Sequence, residues 1–106
     1  MPGRRLAIVV STPPEAGDLD AAFDLAHAAR ACGAEVGMFF MSEALAGLPA
    51  RREELIALHD DGCQIGVCAA SASALGLSEE DIGLPLGGQD DHAAIVSRAD
   101  RVISFT

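Results

Sequence analysis

Three cysteines, Cys32, Cys63 and Cys68, are the strongest nucleophiles in this 106-residue chain. Their odd number and the absence of any CxxC pair argue against a disulfide framework. Cys68 has the most suggestive setting. It closes the apolar run Cys63-Gln64-Ile65-Gly66-Val67-Cys68 and is followed by Ala69, Ala70 and Ser71. A strand that ends in cysteine and passes straight into a helix sets the sulfur among unpaired amides, which favour thiolate. The small residues that follow leave room above it. The chemistry on offer is that of a nucleophilic thiolate at Cys68. The plainer alternative is a packed core thiol, because cysteine is among the most buried residue types. Cys32, near the end of a helical stretch, and Cys63, at a strand start, fall at the wrong end for a shared site and read as packing residues. If the run is a strand, Cys63 and Cys68 lie roughly 16–17 Å apart on opposite faces, too far to bond to each other.

A second group, Gln89-Asp90-Asp91-His92, sits where a strand would pass into a helix. Contiguous residues at a helix start rarely converge on one ion, and acids there suit the helix dipole, so no metal site is assigned. His92 could stand near Cys68 as its base, in a Cys–His arrangement. Ser11 and Ser42 follow apolar runs and, with Ala69, Ala70, Ser71 and His92, are the residues expected to line a site around Cys68. His27 and His59 lie in helical stretches and read as solvated. Gly87-Gly88 belongs to no phosphate-binding motif, and no cofactor is called for.

The elements that would hold these groups alternate between strand and helix. Leu6–Val10 is a β-branched run without polar alternation, as in a strand buried on both faces. A Pro-containing loop follows, then a helix from Asp18 with Leu19, Ala22, Phe23, Ala26 and Ala29 at helical spacing, stopped at Gly33. Glu35–Phe40 reads as a second strand, Ser42–Leu48 as a short helix and Arg51–His59 as another. Cys63–Cys68 is a third strand. Ser78-Glu79-Glu80-Asp81 has the look of a capped helix start. Ile82–Gly87 is a weak fourth strand containing Pro85. A last helix runs from Asp90 to Ala99, and Arg101–Phe105 is a closing strand. This order implies one α/β domain over residues 1–106, a three-layer α/β/α sandwich around a five-stranded parallel sheet.

Composition narrows the function classes. Seven basic against sixteen acidic residues give a net charge of −9, and every basic residue is arginine. That balance excludes a nucleic-acid binder. With four phenylalanines and no Trp or Tyr, there is no platform for stacking bases. No stretch is long enough for a membrane span, and the run after Met1-Pro2-Gly3-Arg4-Arg5 is too short for a signal-peptide core. The expectation is a cytoplasmic protein with reduced thiols. Half of the residues are apolar, generous for so small a domain. The segments Ser42–Leu48 and Ala72–Leu77 are expected to present some of that surplus at a subunit interface near Cys68.

Several of these segments resemble the DsrE/DsrF/TusD sulfur-relay family. Val67-Cys68-Ala69-Ala70-Ser71-Ala72, with a glycine eight positions after the cysteine at Gly76, is similar to its cysteine loop. Leu6–Val10 resembles the opening strand, and Gly37-Met38-Phe39-Phe40 with Ser42-Glu43-Ala44-Leu45 resembles the second strand and its short helix. Ala99-Asp100-Arg101-Val102-Ile103-Ser104-Phe105 is similar to the closing strand. The resemblance implies a five-stranded sheet, a homo-oligomer (trimer or hexamer), and a sulfur carrier or sulfurtransferase subunit. Cys68 would accept sulfane sulfur as a persulfide from a donor protein and pass it to an acceptor thiol. Arginines that follow the cysteine loop in some relay subunits are absent, so backbone amides would have to hold the anion. The alternative from another class is a non-catalytic assembly or adaptor subunit with an inert Cys68.

Overall fold

The computed structural model describes residues 4–106; Met1, Pro2 and Gly3 lie outside the described residues. Four parallel strands form one sheet in the order β3-β2-β1-β4: β1 Arg5–Val10, β2 Glu35–Phe40, β3 Gln64–Val67 and β4 Arg101–Phe105. Helices α1 (Asp18–Ala31) and α2 (Arg52–Asp60) carry the chain from β1 to β2 and from β2 to β3. Two short helices, α3 (Ala69–Leu75) and α4 (Glu79–Ile82), precede α5 (Gln89–Arg98), which leads to β4. The first two crossovers step one way across the sheet and the last steps back past β1. Right-handed connections therefore require α5 on the face opposite α1 and α2.

The two faces are built differently. On one, Ile8 and Val10 of β1, Val36, Met38 and Phe40 of β2 and Val67 of β3 pack with Leu19, Phe23 and Ala26 of α1 and Leu55 and Leu58 of α2. Phe23 and Phe40 stack at 5.6 Å, and the Arg51 guanidinium lies 4.7 Å over the Phe23 ring. On the other face Ala7, Phe39 and Cys68 meet Ile95 of α5. That second layer is thin because the sheet lacks side chains beneath the helix. A Cβ on Gly37 would come within 2.9 Å of Ile95, and one on Gly66 within 2.7 Å of the Phe39 ring and 3.2 Å of Asp91.

The sheet has four strands, not the expected five. Ile82 ends α4 and Gly83 turns at φ 93°. Pro85 has no amide to give a ladder, and the Leu86 amide donates to the Glu79 carboxylate at 2.8 Å. Only Gly87 pairs with β3: its amide donates to Val67 and its carbonyl accepts from Ala69, both at 2.8 Å, forming an isolated bridge to Cys68. Strand β3 is correspondingly shorter than the apolar run. The Ser42–Leu48 segment is a 3-10 helix over Ser42–Gly47. Its Ala44 and Leu45, together with Leu48 and Ala72, are fully buried in the core. Those four side chains fill this chain's own interior, while Leu75 of the Ala72–Leu77 segment stays exposed. The capping start at Ser78 is present, with the Ser78 amide donating to the Asp81 carboxylate at 2.8 Å and the Asp81 amide to the Ser78 hydroxyl at 3.3 Å.

The Phe39 ring is fully buried and stacked on His92, so it has nowhere to yield to a methyl at position 66. Gly66→Ala is expected to cost about 1–3 kcal/mol of stability by overpacking, read from urea unfolding. A loss below about 0.5 kcal/mol, the range of a neutral surface change, would mean that α5 is not seated as described.

Candidate functional site

Cys68 is the residue between β3 and α3. It has extended backbone angles (φ −69°, ψ 116°) and occupies the N-cap position of α3. The amide of Cys68 donates to the Phe40 carbonyl at 3.0 Å, and that of Ala69 donates to Gly87 at 2.8 Å. The junction is thus pinned to β2 on one side and to the Gly87 bridge on the other. The amides of Ala70 and Ser71 come next in the helix and favour the ionised form of the thiol.

Burial is the largest influence on this thiol, and alone it would raise the pKa. It is outweighed by the Ser71 hydroxyl, the amides of Ser71 and Ala70, and the Gln89 side chain, all of which stabilise the thiolate. The net pKa lies below the usual thiol value. The neutral side chain makes no capping hydrogen bond, consistent with the weak acceptor strength of a thiol. The donors therefore act chiefly on the ionised form. Ser71 is itself held in place. Its hydroxyl oxygen accepts the Ser42 amide at 2.8 Å, and Ser42 reaches it only by adopting a left-handed φ of 56°, a conformation uncommon for a residue with a side chain.

Of the residues expected around Cys68, the structure brings together Ser42, Ala70 and Ser71. Ala69 is adjacent and exposed, but its amide is committed to Gly87. Ser11 is not part of the site. It follows β1, two strands from β3, and both its amide and its hydroxyl donate to the Phe105 carbonyl, at 2.9 and 3.5 Å. His92 makes no hydrogen bond to Cys68. Its ring stacks on Phe39 with centroids 4.8 Å apart, and Nδ1 lies 2.9 Å from the Gln89 amide oxygen. Gln89 is the α5 residue that contributes to lowering the Cys68 pKa. The pairing of Gly87 with Cys68 explains this, since it starts α5 two residues beyond the thiol's own strand partner.

The other cysteines lie elsewhere. Cys32 is exposed just after α1, and Cys63 is buried in the core on the α1 face, where burial pushes its thiol pKa up. Two hollows, of about 460 and 510 Å³, lie at the amino end of the sheet around Arg5, and Cys68 lines neither. Among the described residues no three His, Cys, Asp or Glu side chains gather to hold a metal ion. No described helix is long and apolar enough to cross a membrane.

An α/β fold with a parallel sheet and a cysteine at the end of β3 defines the class, and comparison with known proteins gives the family. The chain belongs to the DsrE/DsrF-like family, whose model matches residues 4–105. No curated protein matches it. The crystal structure of the YchN protein from E. coli is similar, with a TM-score of 0.79 and 23% identity over 96% of this chain and 99% of that one. A conserved protein of unknown function from Bacteroides thetaiotaomicron is similar at a TM-score of 0.75 and 11% identity, over 95% of this chain and 94% of that one. At these identities the likeness to both is one of fold.

Because the Cys68 pKa is lowered, the thiolate persists as pH falls below the range in which ordinary thiols ionise. In a Cys32→Ser background, alkylation of native Cys68 by iodoacetamide is expected to show a pH midpoint below that of a model thiol. Ser71→Ala should move the midpoint up, since it removes the donor hydroxyl. An unchanged midpoint in the variant would remove Ser71 from the site.

Proposed function

We propose that this chain is a DsrE-like sulfur carrier or sulfurtransferase subunit that holds sulfane sulfur as a persulfide on Cys68. The supporting observation is the place of Cys68 at the N-cap of α3, ahead of the Ala70 and Ser71 amides and the Ser71 hydroxyl, which together with Gln89 favour the anion. In loading, the Cys68 thiolate attacks the outer sulfur of a donor persulfide. A new S–S bond forms at Cys68 Sγ, the donor's S–S bond breaks, and the donor leaves as thiolate. In unloading, an acceptor thiolate attacks the outer sulfur on Cys68 and releases the Cys68 thiolate. Each step exchanges one S–S bond for another, so no external oxidant or reductant is consumed. The partners of this reading are a donor protein, an acceptor protein and further copies of the chain, acting in the cytoplasm.

One observation favours a second reading, that of a non-catalytic assembly subunit. Cys68 is only 7% exposed and packs with Ala7, Phe39 and Ile95. The two readings separate experimentally. On incubation with a persulfide donor, intact mass should rise by one sulfur atom, and Cys68→Ser should abolish the gain. No gain in the wild-type chain, with Cys68 alkylated only after unfolding, would overturn the carrier and leave the assembly subunit.

A further inference from the structure

Strand β4 is open along its outer edge and partly exposed on both faces. Its inner edge pairs with β1, from Leu6 opposite Arg101 to Val10 opposite Phe105. It ends the sheet, so its outer edge has no partner among the described residues. Val102 is 45% exposed and Ile103 38%. The register places Ile103 beside Ile8 on the α1 face and Val102 beside Ala7 on the α5 face, so both faces of the strand carry uncovered apolar side chains. Natural edge strands normally carry a proline, a bulge or an interior charge against unwanted pairing. Residues 102–105 contain neither proline nor charge, and the strand's one charged residue is Arg101 at its start.

The free backbone groups can be assigned. The Phe105 carbonyl accepts the Ser11 amide, so Phe105, Ile103 and Arg101 turn their main-chain groups toward β1. By alternation, Val102 and Ser104 turn theirs outward.

We propose that β4 pairs antiparallel with β4 of a second copy, across a two-fold axis passing Ile103. Val102 then lies opposite the partner's Ser104. These are the residues with outward groups, so each such pair exchanges both of its hydrogen bonds. Between them Ile103 faces the partner's Ile103 as a non-hydrogen-bonded pair, with Cα atoms about 4.5 Å apart. Arg101 lies opposite the partner's Phe105, a cation against an aromatic ring. A slip of one residue would set outward groups against inward ones and reverse the faces.

Charge selects a second copy as the occupant. The amino end of β4 carries Arg4, Arg5 and Arg101 around one hollow, against Asp100 in that hollow and Glu35 paired with Arg5, a net positive balance. The carboxyl end is acidic. Ser11 binds Phe105, the adjacent Thr12 hydroxyl donates to Asp18 at 2.8 Å, and Glu15 lies in the same loop. Antiparallel pairing lays each basic end on the partner's acidic end. The combined sheet keeps β3 and Cys68 at its outer edges, so this inference does not rest on the proposed function.

Sedimentation equilibrium of the full chain should give an even number of subunits. Ser104→Pro removes an outward amide without touching the β1 ladder, and should halve the mass with the far-UV circular dichroism retained. In a Cys32→Ser background, Ile103→Cys should form an inter-chain disulfide on mild oxidation, because that spacing suits one, whereas Ser104→Cys should not. A monomeric or odd-numbered wild-type chain, or Ser104→Cys linking as fast as Ile103→Cys, would overturn the proposal.

Discussion

The close seating of α5 on the sheet governs everything that happens at Cys68. The helix approaches over Gly37 and Gly66, where any side chain would strike Ile95 or force Phe39 aside. Gly87, just before the helix, gives the Asp91 carboxylate its place. With the helix at this height, Ile95 closes the small apolar cluster, His92 lies flat on Phe39, and Gln89 reaches the thiol. Chain topology fixes which face α5 takes, and the glycines fix how near it comes. Neither alone would bring an α5 side chain to the end of β3.

Cys63 and Cys68 show how strongly local surroundings decide the character of one residue type. They bracket the same strand and are both buried, but on opposite faces. Burial raises the Cys63 pKa with no hydrogen-bond donor to offset it. At Cys68 the same penalty is overcome because a strand runs directly into a helix whose second and third amides are unclaimed. The amides of Cys68 and Ala69 are already spent on Phe40 and Gly87, so the sulfur depends on Ala70, Ser71 and the side chains that Ser42 and α5 bring in. Strained backbone at Ser42 is one of the costs of that arrangement, and such strain persists only where the surroundings over-determine it.

Much of the fold was legible because its signals are local. The unbroken apolar runs at Leu6–Val10 and Val36–Phe40, the helical spacing from Leu19 to Ala29, and the Ser78–Asp81 cap each depend on neighbours in sequence. The fifth strand failed for a reason that sequence shows only in part. Pro85 was visible, but the capture of the Leu86 amide by Glu79 is a contact between side chain and backbone seven residues apart. The site divides the same way. Ala70 and Ser71 follow Cys68 directly and were expected there. His92 carried the more familiar chemistry, yet its ring is engaged with Phe39, a β2 residue far away in sequence. The place of Gln89 is hidden in the sequence, because it depends on the single-residue bridge at Gly87. Ala44, Leu45 and Leu48 looked like surplus because nothing in their own segment shows that the core extends beneath a 3-10 helix.

The relative exposure of Cys68 and its neighbours sets a rule of access. The thiol is nearly covered, while Ala69 and Ala70 beside it are open to solvent. The thiol is thus the least accessible group among these three residues. An atom at the tip of a slender, protruding chain can descend to it, and one flush with a broad protein surface cannot. Access therefore limits what meets the thiolate before nucleophilicity has any say, and favours a small or projecting reactive group over a bulky one.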